Sequence, residues 1–199
     1  LRYHLRENNQ QAYNMTDITL SKMKEGGIYD QIGGGFHRYS TDMSWTVPHF
    51  EKMLYDNALL VKLYTHAYQI KPNKSFKKTV TQTLDYVIRE MMSESGGFYS
   101  SQDADSDGIE GKFFAWNLHE INSILDPELS EIAKTYFSIT QQGNFEGFNI
   151  LTQRVPIDQV ATKIGITVDE CERKLTQIEK ILFEKRKMRV HPLCDTKII

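Results

Sequence analysis

The run from Gly33 to Asn57 keeps neither the helical nor the strand period, yet it stands between segments that do keep the helical one. A non-periodic stretch of that length inside a compact chain is either functional or disordered. Its aromatic content argues against disorder. Three consecutive glycines, Gly33 to Gly35, leave the backbone free to take positive φ and to admit a close neighbour. Directly after them come His37, Arg38, Tyr39, Asp42, Trp45, His49, Glu51, Lys52, Asp56 and Asn57. The segment reads as the lip of a binding site carried on a helical scaffold.

The flanking segments define that scaffold. A short helix at the start gives way at Asn8-Asn9-Gln10 to a second one, which runs to Glu25 and stops at Gly26-Gly27. Leu59, Leu60, Leu63, Tyr64, Ala67 and Tyr68 recur at helical spacing up to Lys71-Pro72-Asn73-Lys74. Val80, Leu84, Val87, Ile88 and Met91 mark the apolar face of the next helix, which stops before Gly96-Gly97. Asn117 to Glu120 has the form of a capping box, Asp126-Pro127 that of an N-cap followed by proline, and Thr167 to Glu170 caps a helix reaching Lys187. Strand-like pieces are confined to Gly97–Ser101 and Lys112–Trp116. The expectation is one all-α domain, residues 1–199, of antiparallel helical hairpins with a short β-hairpin near 97–116.

Met23 to Tyr29 and Met92 to Tyr99 each close a helix with Gly-Gly-apolar-Tyr, a weak internal repeat of the kind that stacks helical hairpins. In such a stack the short turns fall at one end. The long loops, 26–50 and 96–116, then share the other. That end is where the reactive side chains collect.

Composition removes several function classes. Lys plus Arg (24) nearly balance Asp plus Glu (26), which points away from nucleic acid. The basic runs Lys71–Lys78 and Lys180–Arg189 read as solvated helix faces. No apolar run is long enough for a membrane span, and the first residues hold no signal-peptide core. Cys171 and Cys194 form no CxxC, which fits a reducing, cytoplasmic setting, with Cys171 as buried filler.

The candidate chemistry lies in four places. In the first loop His37 and His49 are acid–base candidates, with Asp42, Glu51 and Asp56 to orient them or act in their place. Tyr39 and Trp45 offer flat faces for a sugar ring or another planar ligand. In the second loop Asp103-x-Asp105-x-Asp107-Gly108 matches half of a calcium loop, but Phe114 stands where the bidentate glutamate belongs. A tight hairpin explains the pattern instead, so neither a metal nor a cofactor is expected, and Asp103, Asp105 and Glu110 remain acid–base candidates. Gly143 to Asn149 sets Glu146 and an amide between glycines, to contact a ligand or cap a helix. In the tail, Asp195 and Lys197 form an ion pair or fray.

Taken together, Gly27 to Asp42, Val47 to Asn57, Gly97 to Asp105, Glu110 to Phe113 and Asn144 to Gly147 resemble the thioredoxin-domain-fused proteins that include spermatogenesis-associated protein 20. The resemblance covers nearly the whole chain. It implies a six-hairpin (α/α)6 toroid, similar to those of glycoside hydrolases and of N-acylglucosamine 2-epimerase, lying behind a thioredoxin-like domain. This chain would be its first half, without that domain or the later hairpins, and self-associating through the cut edge. A glycosidase or sugar epimerase is the function this implies, with a scaffold module serving a thioredoxin-like partner as the alternative. The catalytic pool is His37, His49, Asp42, Glu51, Asp103, Asp105 and Glu110. Arg38, Tyr39, Trp45, Lys52, Asp56, Asn57, Gln102, Glu146 and Asn149 are expected to bind a small, sugar-like ligand.

Overall fold

A computed structural model describes all of residues 1–199. The chain is mostly helical, with eight α-helices and seven short strands. The helices are α1 (Arg2–Glu7), α2 (Gln10–Glu25), α3 (Leu54–Ile70), α4 (Lys74–Tyr86), α5 (Leu118–Ile124), α6 (Pro127–Tyr136), α7 (Ile157–Ile164) and α8 (Val168–Arg186). The local capping chemistry is as the sequence predicts: Asn117, Asp126 and Thr167 accept hydrogen bonds from the backbone N–H groups of Glu120, Leu129 and Glu170. Helix α7 has no such signal. It starts after Pro156 without a side-chain cap and ends at Gly165 in the left-handed region.

Two expectations are corrected. Lys112 to Trp116 is a series of turns with one isolated bridge, Trp116 to Asn149, and not a strand. The tail does not fray: Cys194–Ile198 is strand β7. It pairs with β4 (Tyr99–Gln102), which pairs in turn with β3 (Lys52–Met53), all antiparallel. Two further pairs complete the set, β1 (Tyr39–Ser40) with β2 (Pro48–His49) and β5 (Asp105–Ser106) with β6 (Ile109–Glu110). The β5–β6 turn is the tight hairpin foreseen, with Asp107 and Gly108 at φ 55° and 71°.

The β3–β4 register sets Lys52 opposite Gln102 and so lays the 26–53 segment against the 96–116 segment. The two long loops do converge. Beneath them lie three apolar clusters. The largest joins α5 to α8 around Trp116, Ile132, Phe137, Cys171, Ile178 and Leu182, with Cys171 buried as expected. A second joins α2, α3 and α4 through Leu20, Tyr64 and Phe76. Phe50, Phe113, Phe114 and Ile150 form a third.

The face of α4 differs from its reading. Phe76, Thr79, Thr83 and Tyr86 are buried, while Leu84 and Ile88 stand about half exposed. A π-helical turn, Val87–Met91, follows α4 and shifts the helical phase before Met91 is buried. The inward stripe of α4 is polar and aromatic because it faces Gly34, Gly35 and Gln102. The glycine triplet therefore packs backbone against helix, and it cradles no phosphate. Gly34 sits at φ 76°, and a Cβ there would run into the carbonyl of Gln82; at Gly108, φ 71°, a Cβ would meet nothing. Both alanine substitutions carry backbone strain, but only the first also carries a clash. Chemical denaturation should show Gly34→Ala costing about 2–3 kcal/mol and Gly108→Ala about 1 kcal/mol.

Candidate functional site

The loop residues separate into an interior set and a surface set. At the centre of the interior is Asp30, buried at 6% exposure. Its carboxylate takes a bidentate fork from Arg186, Nη1 to Oδ1 and Nη2 to Oδ2, both 2.8 Å, and a third bond of 2.9 Å from Lys52 Nζ to Oδ2. Oδ1 also accepts from the backbone N–H groups of Ile32 and Gly33. Lys52 donates to the Gly34 carbonyl as well, and lies 4.2 Å from the Tyr86 ring and 4.8 Å from that of Phe114. Burial pushes the Asp30 pKa upward, but Arg186 and Lys52 outweigh it and hold the carboxyl well below the usual range. Burial, together with Arg186, lowers Lys52 to about 8 against the pull of Asp30.

Several expected ligand-binding residues belong to this interior. Lys52, Asn57, Gln102 and Asn149 are all buried with internal partners. Asn57 bonds both backbone groups of Phe36, Gln102 accepts from the Tyr86 hydroxyl, and Asn149 holds Thr140 and Trp116. His37 is buried too. Its Nδ1 faces the Phe50 carbonyl at 2.8 Å, so Nδ1 carries the proton and donates. Burial, then Lys52, lowers its pKa to about 3, which leaves it neutral. That takes His37 out of the set of groups able to exchange protons with a ligand in solvent. Asp42 ties its own loop, accepting from Ser44, Thr46 and Val47; these bonds overcome the opposing effect of burial and bring its pKa to about 2. Trp45, half-buried, gives its carbonyl to the N–H of Gly27.

The basic run Lys180–Arg189 also divides. Arg186 is buried on Asp30, and Arg189 makes a paired contact with Glu120 at 2.8 and 2.9 Å and lies 4.0 Å above the Trp116 ring. Neither is on a solvated face, because each finds a carboxylate and aromatic rings across the fold. Nothing in the spacing of that run tells these two arginines from the lysines around them.

The surface set is compact. His49 Nδ1 lies 2.8 Å from Glu110 Oε1, and Nε2 lies 3.7 Å from Glu51 Oε2. Its ring stacks on that of Tyr39, with centroids 5.1 Å apart. Arg38 Nη1 bonds Glu51 at 2.9 Å. Asp56 is close to this group, its pKa raised by burial first, against the influence of Arg38. Asp103, Asp105 and Glu146 are exposed, and Glu146 holds positive φ in the 145–148 turn. His49, Glu110, Glu51, Arg38 and Tyr39 are thus the predicted residues that the fold brings together in reach of solvent. No three His, Cys, Asp or Glu side chains gather as a metal set, and no helix is long and apolar enough to cross a membrane.

The main concavities lie elsewhere. A cleft of about 400 Å³ separates α4 from α8 and is bordered by Lys24, Lys78, Gln82, Tyr136 and Glu179, with Lys78 bonded across to Glu179. A cavity of about 10 Å³ lies behind His37, bounded by Gln31 and Trp116. Gln31 Oε1 and Trp116 Nε1 are buried and find no partner in the protein. Each such unmade bond costs about 1–3 kcal/mol.

Over its full length the chain is homologous to spermatogenesis-associated protein 20 of Homo sapiens, 34% identical, and of Mus musculus, 36% identical. It also matches an uncharacterized protein of Caenorhabditis elegans, 31% identical over 97% of the chain. The chain spans about 28% of the length of the two mammalian relatives and 30% of the worm protein. No protein-family model matches it.

The neutral His37 has a measurable consequence. Its pKa is lower folded than unfolded, so the unfolded chain binds the extra proton between about pH 3 and 6.5. Its contribution to stability is complete above pH 6.5 and is lost on acidification. Urea titrations near pH 5 should give a stability-versus-pH slope about 1.4 kcal/mol per pH unit steeper in the native chain than in His37→Phe.

Proposed function

We propose that the Tyr39–His49–Glu110–Glu51 face binds a small polyhydroxylated ligand and moves a proton on it, as a sugar epimerase does. The observation that carries this reading is His49 itself. One ring nitrogen is fixed on Glu110 at 2.8 Å, the other faces Glu51 at 3.7 Å, and the ring face lies on Tyr39. A histidine oriented by a carboxylate at Nδ1 presents Nε2 as a general base. The outer face of the stacked pair is a flat surface of the kind sugars lie against, and Arg38 supplies donors for hydroxyl or carbonyl oxygens. With His37 internal and neutral, His49 is the histidine suited to proton exchange.

In this proposal the chain supplies hairpins of a larger helical toroid, working in the cytoplasm beside a thioredoxin-like domain, as the motif resemblance implies. The length of the relatives leaves room for both. One observation favours a second reading, a non-catalytic binding module: the polar groups of the face are already paired with one another, Arg38 with Glu51 and His49 with Glu110.

The two readings separate in deuterated water. Monosaccharides and disaccharides added to the chain should broaden or shift the Tyr39 and His49 resonances, and an epimerisable sugar should gain deuterium at the carbon next to its carbonyl. His49→Gln should keep the binding and lose at least 100-fold of the exchange; Tyr39→Ala should weaken the binding. Binding without exchange leaves the module reading, and no response of either resonance to any sugar contradicts both.

A further inference from the structure

The cavity behind His37 joins three observations that the surface site does not use. Gln31 is 4% exposed, and its amide nitrogen is already committed to the carbonyls of Lys24 and Gly26, so its Oε1 is left as a pure acceptor without a partner. Trp116 is fully buried, and its Nε1–H is a pure donor without a partner. His37 donates through Nδ1 to the Phe50 carbonyl, which leaves its Nε2 with a lone pair as an acceptor. All three residues line the same space. Thr83 Oγ1, the other buried polar atom without a partner, does not border it.

Asp30 and Arg186 also border this space but are bonded to each other, so one unmet donor and two unmet acceptors define what fits there. The occupant must accept one hydrogen bond and donate two. An anion cannot donate, a metal cation cannot accept the indole N–H, and an ammonium ion has no lone pair for it. The volume, about 10 Å³, is at the lower limit for one water molecule and excludes anything larger. We propose that this cavity is a binding site for a single internal water, which accepts from Trp116 Nε1–H and donates to Gln31 Oε1 and His37 Nε2.

This water ties Trp116 to the two sides of the glycine-rich loop, which are themselves joined by the backbone bond from the His37 N–H to the Ile28 carbonyl. Gln31 belongs to the glycine-rich loop, and Trp116 is bridged through its backbone to Asn149. His37 leads directly into Arg38 and Tyr39 of the surface site. The water fixes the same imidazole tautomer that the Phe50 carbonyl demands, so the two contacts reinforce each other.

The test is nuclear Overhauser transfer from bulk-exchanging water to the indole N–H of the folded chain. Trp116→Phe assigns the resonance, and Trp45, half-buried, is the internal control. The expected result is a cross-peak from a long-lived water to the Trp116 indole proton, lost or reduced several-fold in both Gln31→Met and His37→Phe. A protected Trp116 indole proton with no water cross-peak would show a dry cavity and overturn the proposal. A cross-peak unchanged in both variants would overturn it equally, because the water would then have other partners. The wild-type measurement decides even where a variant fails to fold.

Discussion

The buried fork between Arg186 and Asp30 is the contact on which the arrangement depends. It closes the chain across 156 residues, and with Lys52 it brings α8, the glycine-rich loop and β3 to one point. One carboxylate serves two cations there, so the junction carries excess positive charge away from bulk solvent. The shortfall is met by the Gly34 carbonyl and by aromatic faces: Tyr86 and Phe114 on Lys52, Phe113 and Phe114 on Arg186. A depressed Lys52 pKa and a neutral His37 follow from that excess and from burial. The glycines follow as well. A Cβ at Gly33 would displace Arg186 and Asp30, and one at Gly35 would strike the Tyr86 ring.

From this junction the surface face is built outward. Lys52 pairs with Gln102 across β3 and β4, and the residues just before it, Phe50 and His49, are carried with the strand. Phe50 gives its carbonyl to His37 below, while His49 stacks on Tyr39 above. A backbone held at Lys52 therefore determines where His49 meets Glu110. The surface residues reach solvent and bond to one another, but their positions are fixed by groups buried beneath them. That is the arrangement a site needs when its own side chains must stay available to a ligand.

What could be read from the chain is what short-range chemistry controls. Asn117, Asp126 and Thr167 announce their helices because the capping bond spans only three residues. The convergence of the long loops follows from the hairpin order alone. Helix α7 lacks a cap and a long period, and it owes its place to packing of Val160 and Ala161 in the large cluster. His37 and His49 look alike in sequence, and only burial separates an internal tautomer from an exposed base. Arg186 sits in a basic run that resembles a solvated face, since its partner lies at the other end of the chain. Asp30, the residue that organises the loop, carries no signal in the sequence, because a single carboxylate before three glycines matches no catalytic spacing.

The measurement that bears most directly on this account is the unfolding free energy of Asp30→Asn against the native chain. The substitution keeps the shape and removes the one negative charge between two buried cations. A loss of about 3–5 kcal/mol, as for a broken buried ion pair, is the predicted result. A loss below about 1 kcal/mol, with the Tyr39 and His49 resonances unmoved, would show that the fork does not hold the loops together.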